Sequence, residues 1–82
     1  MSRWVEESLL LKTPYIDLLQ LLKATGNAVT GGEAKALVEQ GLIRVNGELE
    51  HRKRRKLRVG DIVELKDAIR ITVLGENPSV GS

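Results

Sequence analysis

Residues 30–47 read TGGEAKALVEQGLIRVNG, and the period of the apolar positions changes within this stretch. Ala34, Leu37 and Val38 recur at helical spacing, while Lys35 and Glu39 sit four apart on the other side. Thr30 followed by Glu33 is a capping box that starts this helix, and Gly41 stops it. From Leu42 the period falls to two. Ile43 and Val45 alternate with Arg44, and Asn46-Gly47 signals a tight turn between strands. A helix that hands directly to a hairpin points to a mixed fold.

The same signals extend outward. Upstream, Asp17 and Gln20 form a second capping box ahead of the stripe Leu18, Leu19, Leu21 and Leu22, which Gly26-Asn27 ends. The connection Asn27-Ala28-Val29 is short enough for the two helices to pack as a hairpin. Thr13-Pro14 bars a helix from entering on the left, so residues 1–12 are expected to be an extension with one possible strand. Downstream, a two-residue loop would pair Val45 with Glu48 and Ile43 with Glu50, setting glutamates among core side chains. A three-residue loop, Val45-Asn46-Gly47, would place Leu49 opposite Ile43 and Glu48 opposite Arg44; it keeps one face apolar and is the expected register. Leu57, alone among charges, is expected to anchor the following segment to the core. Val59-Gly60-Asp61 turns into a strand from Ile62 to Lys66, and Asp67-Ala68 turns into Ile69 to Val73. Residues 75–82 are polar and contain Pro78, and are expected to be a disordered tail. Helices segregated from a run of strands give the fold class α+β: two short helices on a small antiparallel sheet of four to five strands, with the domain over residues 13–74.

The chain has 82 residues, which suits one domain with a small aliphatic core. It has no cysteine, hence no disulfide framework, no thiolate nucleophile and no cysteine metal cluster. Leu9-Leu10-Leu11 is too short for a signal peptide or a membrane span, so a cytoplasmic location is expected. Trp4 and Tyr15 are the only aromatics, which argues against modules that stack bases on sheet aromatics. The formal charge of +2 hides an uneven distribution. Arg52, Lys53, Arg54, Arg55, Lys56 and Arg58 fall in the span 51–58, which contains no acid, and the rest of the chain carries −4. Six like charges persist in a fold only when solvated or matched by an anion.

Catalytic groups are sparse. His51 is the only histidine and has no serine or cysteine nucleophile to serve. Glu48 and Glu50 read as hairpin carboxylates that solvate or pair with Arg44 rather than as an acid–base couple. Gly31-Gly32 lacks the Gly-Lys-Ser/Thr ending and the preceding strand of a phosphate loop, though glycines in a first helical turn would let an anion approach the free backbone N–H groups. No enzyme activity, cofactor or metal site is expected.

Four segments taken together, Ile16–Leu22, Thr30–Val38, Gly41–Gly47 and Lys56–Val63, resemble the S-four RNA-binding domain named after ribosomal small-subunit protein four. The likeness covers roughly residues 15 to 66, and the Gly-Gly-Glu-Ala-Lys and Arg-Lys-Arg-Arg-Lys-Leu stretches look most like the small stand-alone bacterial members. It implies two helices on a bent antiparallel sheet, the alpha-L motif. It also implies contacts with structured RNA, commonly ribosomal RNA, and hence association with the ribosome; a monomer is expected, a weak homodimer being the other state. Carried over by position, Thr30, Gly31, Gly32 and Lys35 supply the helix side of the RNA site. Arg44, Arg52, Lys53, Arg54, Arg55 and Lys56 supply the loop side. Many relatives have basic residues just after the Thr30 position where this chain has two glycines, which shifts the contacts toward Lys35, backbone amides and the basic loop. The alternative from the residues alone is a protein-interaction module in which the basic loop meets an acidic partner.

Overall fold

The computed structural model describes residues 3–75. Both helices begin where a short polar side chain takes up a free backbone N–H. Asp17 accepts from the Gln20 N–H at 2.9 Å and opens α1 (Leu18–Ala24). Thr30 accepts from the Glu33 N–H at 3.1 Å and opens α2 (Gly31–Glu39). Glu33 reaches back to the Val29 N–H at 2.6 Å, one residue before the usual reciprocal partner. After each last turn the chain reverses through a glycine in the left-handed region, Gly26 at φ 80° and Gly41 at φ 74°.

The strands are β1 (Val5–Leu11), β2 (Ile16–Asp17), β3 (Ile43–Val45), β4 (Glu48–Leu49), β5 (Lys56–Leu57), β6 (Ile62–Leu65) and β7 (Ile69–Gly75). Five of them form one sheet in the order β1-β7-β6-β3-β4, and β2 pairs with β5 in a separate two-stranded ladder. Ile43, Val45, Val63, Leu65, Ile71 and Val73 face inward and meet Leu18, Leu21 and Leu22 of α1 and Ala34 and Val38 of α2. Leu57 is fully buried and pairs with Ile16, so the end of the basic segment is tied to the entrance of α1. Each fully buried leucine contributes about 2 kcal/mol, which makes this small core sensitive to any single loss.

Besides the separate β2–β5 ladder, two further features depart from the sequence expectations. The sheet is mixed, because β1 runs parallel to β7 over its whole length from Val5↔Ile69 to Leu11↔Gly75. The extension thereby supplies an edge strand, with Leu11 buried and Leu9 packed against the core. The hairpin has a two-residue loop, with Val45 opposite Glu48 and Arg44 opposite Leu49. Asn46 and Gly47 both take positive φ, 53° and 88°, and this turn matches the twist of the strands better than the expected three-residue loop. Leu49 consequently lies 45% exposed, sharing a face with Arg44, and Glu50 points inward. Residues 76–82 of the expected tail lie outside the described residues.

Candidate nucleic-acid interface

Glu50 ends the hairpin and starts the basic segment. Its backbone N–H donates to the Ile43 carbonyl at 2.9 Å, and its side chain is buried. A buried carboxylate is costly unless its lone pairs are filled, and here they are. Arg52 donates from its backbone N–H at 2.8 Å and from Nε at 2.9 Å to Oε2, and from Nη2 at 3.1 Å to Oε1; Arg55 Nη1 donates to Oε1 at 2.6 Å. The Arg52 hydrogen bonds outweigh the opposing effect of burial and, with Arg55, hold the carboxyl pKa down at about 2. The charged residues therefore fold back on a carboxylate of their own hairpin. Glu50 is not the solvated glutamate that its sequence position suggests.

Arg52, Arg54, Arg55, Lys56 and Arg58 line an open concavity of about 540 Å³, with no acidic side chain among them. Arg55 is the most sheltered of the ion-paired ones, its side chain 28% exposed, whereas that of Arg54 is 78% exposed beside Asp17 Oδ2 at 3.4 Å. At the far end Asp61 fixes the exit: its Oδ2 accepts the Arg58 N–H at 2.8 Å and its Oδ1 accepts from Asn46 Nδ2 at 3.1 Å. Burial pushes the Asp61 carboxyl up, but these hydrogen bonds hold it below its ordinary value. The Ile62 N–H donates to Asn46 Oδ1 at 2.9 Å, so the hairpin tip and the exit of the basic segment are joined.

The other candidate residues are distributed around this cavity. Lys53 leaves it to pair with Glu39 at the end of α2, at 2.8 Å, and that contact lowers the Glu39 pKa. Lys35 lies one helical turn before Glu39 and contributes to the same lowering. Thr30, Gly31 and Gly32 are at the opposite end of α2, about 12 Å along the axis from Glu39 at 1.5 Å per residue. A Cβ built on Gly31 meets nothing within 4 Å, and one on Gly32 meets only the Thr30 hydroxyl at 3.9 Å, so packing does not demand either glycine. Arg44 is on the outer face of the sheet, between Leu49 and Glu64 in the ladder, and is not among the residues lining the concavity.

Three participants were absent from the candidate set. Arg58 was visible as part of the charge run. Asp17 was legible only as a helix cap. Tyr15 becomes relevant because the β2–β5 ladder brings it to the cavity rim, where Lys56 Nζ sits 4.8 Å from its ring centroid. Tyr15, Asp17, Arg54 and Lys56 enclose a smaller adjoining pocket of about 210 Å³. Among the described residues no group of three or more His, Cys, Asp or Glu side chains is placed to hold a metal ion, and no helix is long and apolar enough to cross a membrane.

Comparison with known proteins bears on the family and the fold. The Escherichia coli K12 protein named "Putative RNA-binding protein YbcJ" is 38% identical over 52 residues, covering 63% of this chain and 74% of its own. The Bacillus subtilis 168 protein named "Probable ribosome maturation protein RlbA" is 39% identical over 56 residues, covering 68% and 79%. The solution structure of E. coli YbcJ, described as revealing an alpha-L motif involved in RNA binding, superposes with a TM-score of 0.62 at 34% identity, over 90% of this chain and 91% of that one. The two helices on the five-stranded sheet are that same alpha-L architecture. A sequence model of the S4 domain matches residues 9–74, and the chain belongs to the S4 domain family.

Proposed function

We propose that this protein binds structured RNA, with ribosomal RNA as the target, by seating the sugar–phosphate backbone in the cationic concavity. The carrying observation is that five basic side chains line one open hollow while buried Glu50 fixes two of them from behind. Guanidinium forks suit phosphate oxygens, and fixed cations suit the regular phosphate spacing of folded RNA better than that of a flexible strand. Lys35 and the amides at the start of α2 supply a second, weaker set of contacts. The relatives support this reading through their names, one for RNA binding and one for ribosome maturation. Association with the ribosome and a cytoplasmic location belong to the same reading.

The test is fluorescence anisotropy with a labelled stem-loop from large-subunit ribosomal RNA. Log affinity should fall against log salt with a slope of roughly 0.7–0.9 per phosphate contact. Arg54→Glu with Arg58→Glu should weaken binding by about a hundredfold or more, given the salt-sensitive phosphate contribution of each cation. The melting temperature should stay near that of the parent, because both side chains are exposed. Unchanged affinity in the folded double variant would remove the proposal, and equal affinity for duplex DNA of the same length would remove its RNA specificity. Binding only to an acidic protein would favour the interaction-module alternative.

A further inference from the structure

We infer that Glu50 is a positioning residue for RNA: a buried carboxylate that strengthens polyanion binding by holding Arg52 and Arg55 in a fixed fork at the wall of the concavity. This rests on the RNA-binding reading above. Glu50 Oε2 and Oε1 receive Nε and Nη2 of Arg52, so its guanidinium plane is set by two parallel bonds. Arg55 reaches Oε1 through Nη1 alone. Arg52 Nη1 and the Nε and Nη2 of Arg55 take no part in the clasp, and both side chains line the concavity. One carboxylate thus orients two guanidiniums without filling their donors.

The contrary effect is electrostatic. Glu50 has the same sign of charge as RNA, and charge counting alone makes its removal favourable to binding. Pre-organisation acts the other way. An arginine that is free in solution loses its rotamer freedom when it grips a phosphate, whereas one already clasped has lost much of it on folding. The gain is confined to ligands whose phosphates are themselves fixed in space. A flexible single strand can follow mobile arginines and gains little. The two effects predict opposite signs for one substitution, and the sign depends on the RNA.

The experiment measures affinity of Glu50→Gln, Arg52→Lys and Glu48→Gln for the ribosomal stem-loop and for poly(U), at one salt concentration, with a thermal melt of each protein. Glu48 is an exposed control two residues away on the same hairpin, and it removes the same charge without touching either arginine. Arg52→Lys keeps the charge and loses the fork, at a side chain 71% exposed. Pre-organisation predicts that Glu50→Gln and Arg52→Lys each weaken stem-loop binding roughly tenfold, the order expected from freeing one or two such side chains. Poly(U) affinity should be unchanged or raised, and Glu48→Gln should not weaken either ligand. A folded Glu50→Gln protein that binds the stem-loop as tightly as the parent, or more tightly, overturns the inference. Should Glu50→Gln fail to fold, Arg52→Lys decides, and parent-like stem-loop affinity overturns it. A parent protein that binds neither RNA instead removes the RNA-binding reading itself, and the inference with it.

Discussion

Two arginine clusters in this molecule use the same ion-pair chemistry with opposite stoichiometry. On the outer face of the sheet, Arg70 serves two carboxylates, Glu6 at 2.8 Å and Glu64 at 3.3 Å, and also lies 4.6 Å from the Trp4 ring. At the hairpin exit one carboxylate, Glu50, serves two arginines. The first cluster cancels its cation and leaves negative charge over; the second organises its cations and leaves positive charge over. Counting salt bridges makes the two regions look alike. Counting partners per charge separates a cluster with spare negative charge from one with spare positive charge.

The harshest way to break this comparison is to cut the basic segment from the core. Leu57→Asp places a carboxylate at a fully buried position, and a cost of about 4 kcal/mol or more should abolish the cooperative thermal transition. Acid offers a graded version. The Glu50 carboxyl is held down at about 2 from an ordinary 4.5, so its contribution to stability is complete above about pH 4.5 and fades as pH falls toward 2. The loss is on the order of 3 kcal/mol and should show as a falling melting temperature across that window, flattened in Glu50→Gln. The Arg70 cluster supplies the small end of the series. Its partner Glu6 is largely exposed, so Arg70→Ala should cost about 1 kcal/mol or less by denaturant titration. It should leave stem-loop affinity unchanged, and weakened RNA binding in that variant would erase the distinction between the clusters.

Local chemistry made most of the fold legible. The caps Asp17 and Thr30, the glycines after each helix and the alternation around Arg44 each rest on residues a few positions apart and appear as expected, although Glu33 closes its box on the Val29 N–H rather than that of Thr30. The six-cation run was equally plain, because charge density needs no structure to be counted. Glu50 was not. Its burial depends on Arg52 and Arg55 folding back, so a rule that keeps charges off the core face rejected the correct register. The Asn46-Gly47 turn favoured two residues, and the apolar-face argument favoured three; the turn prevailed because the buried charge found partners. Tyr15, one of only two aromatics, carries no sequence signal for a place in the site. Its place at the cavity rim comes from the pairing of β2 with β5, about forty residues apart, which no local spacing encodes.

The parallel pairing of β1 with β7 has a consequence for folding. Every residue of β1 meets a partner 64 positions further along the chain. Contacts of that separation carry the greatest loop-closure cost and slow folding most. The helices, the hairpin and the whole cationic segment all precede, along the chain, the strand that β1 needs. β7 joins β6 through a tight turn, so that pairing carries the small closure cost and the pairing of β7 with β1 the large one. The β1 edge of the sheet can therefore close only once β7, the last strand among the described residues, is in place.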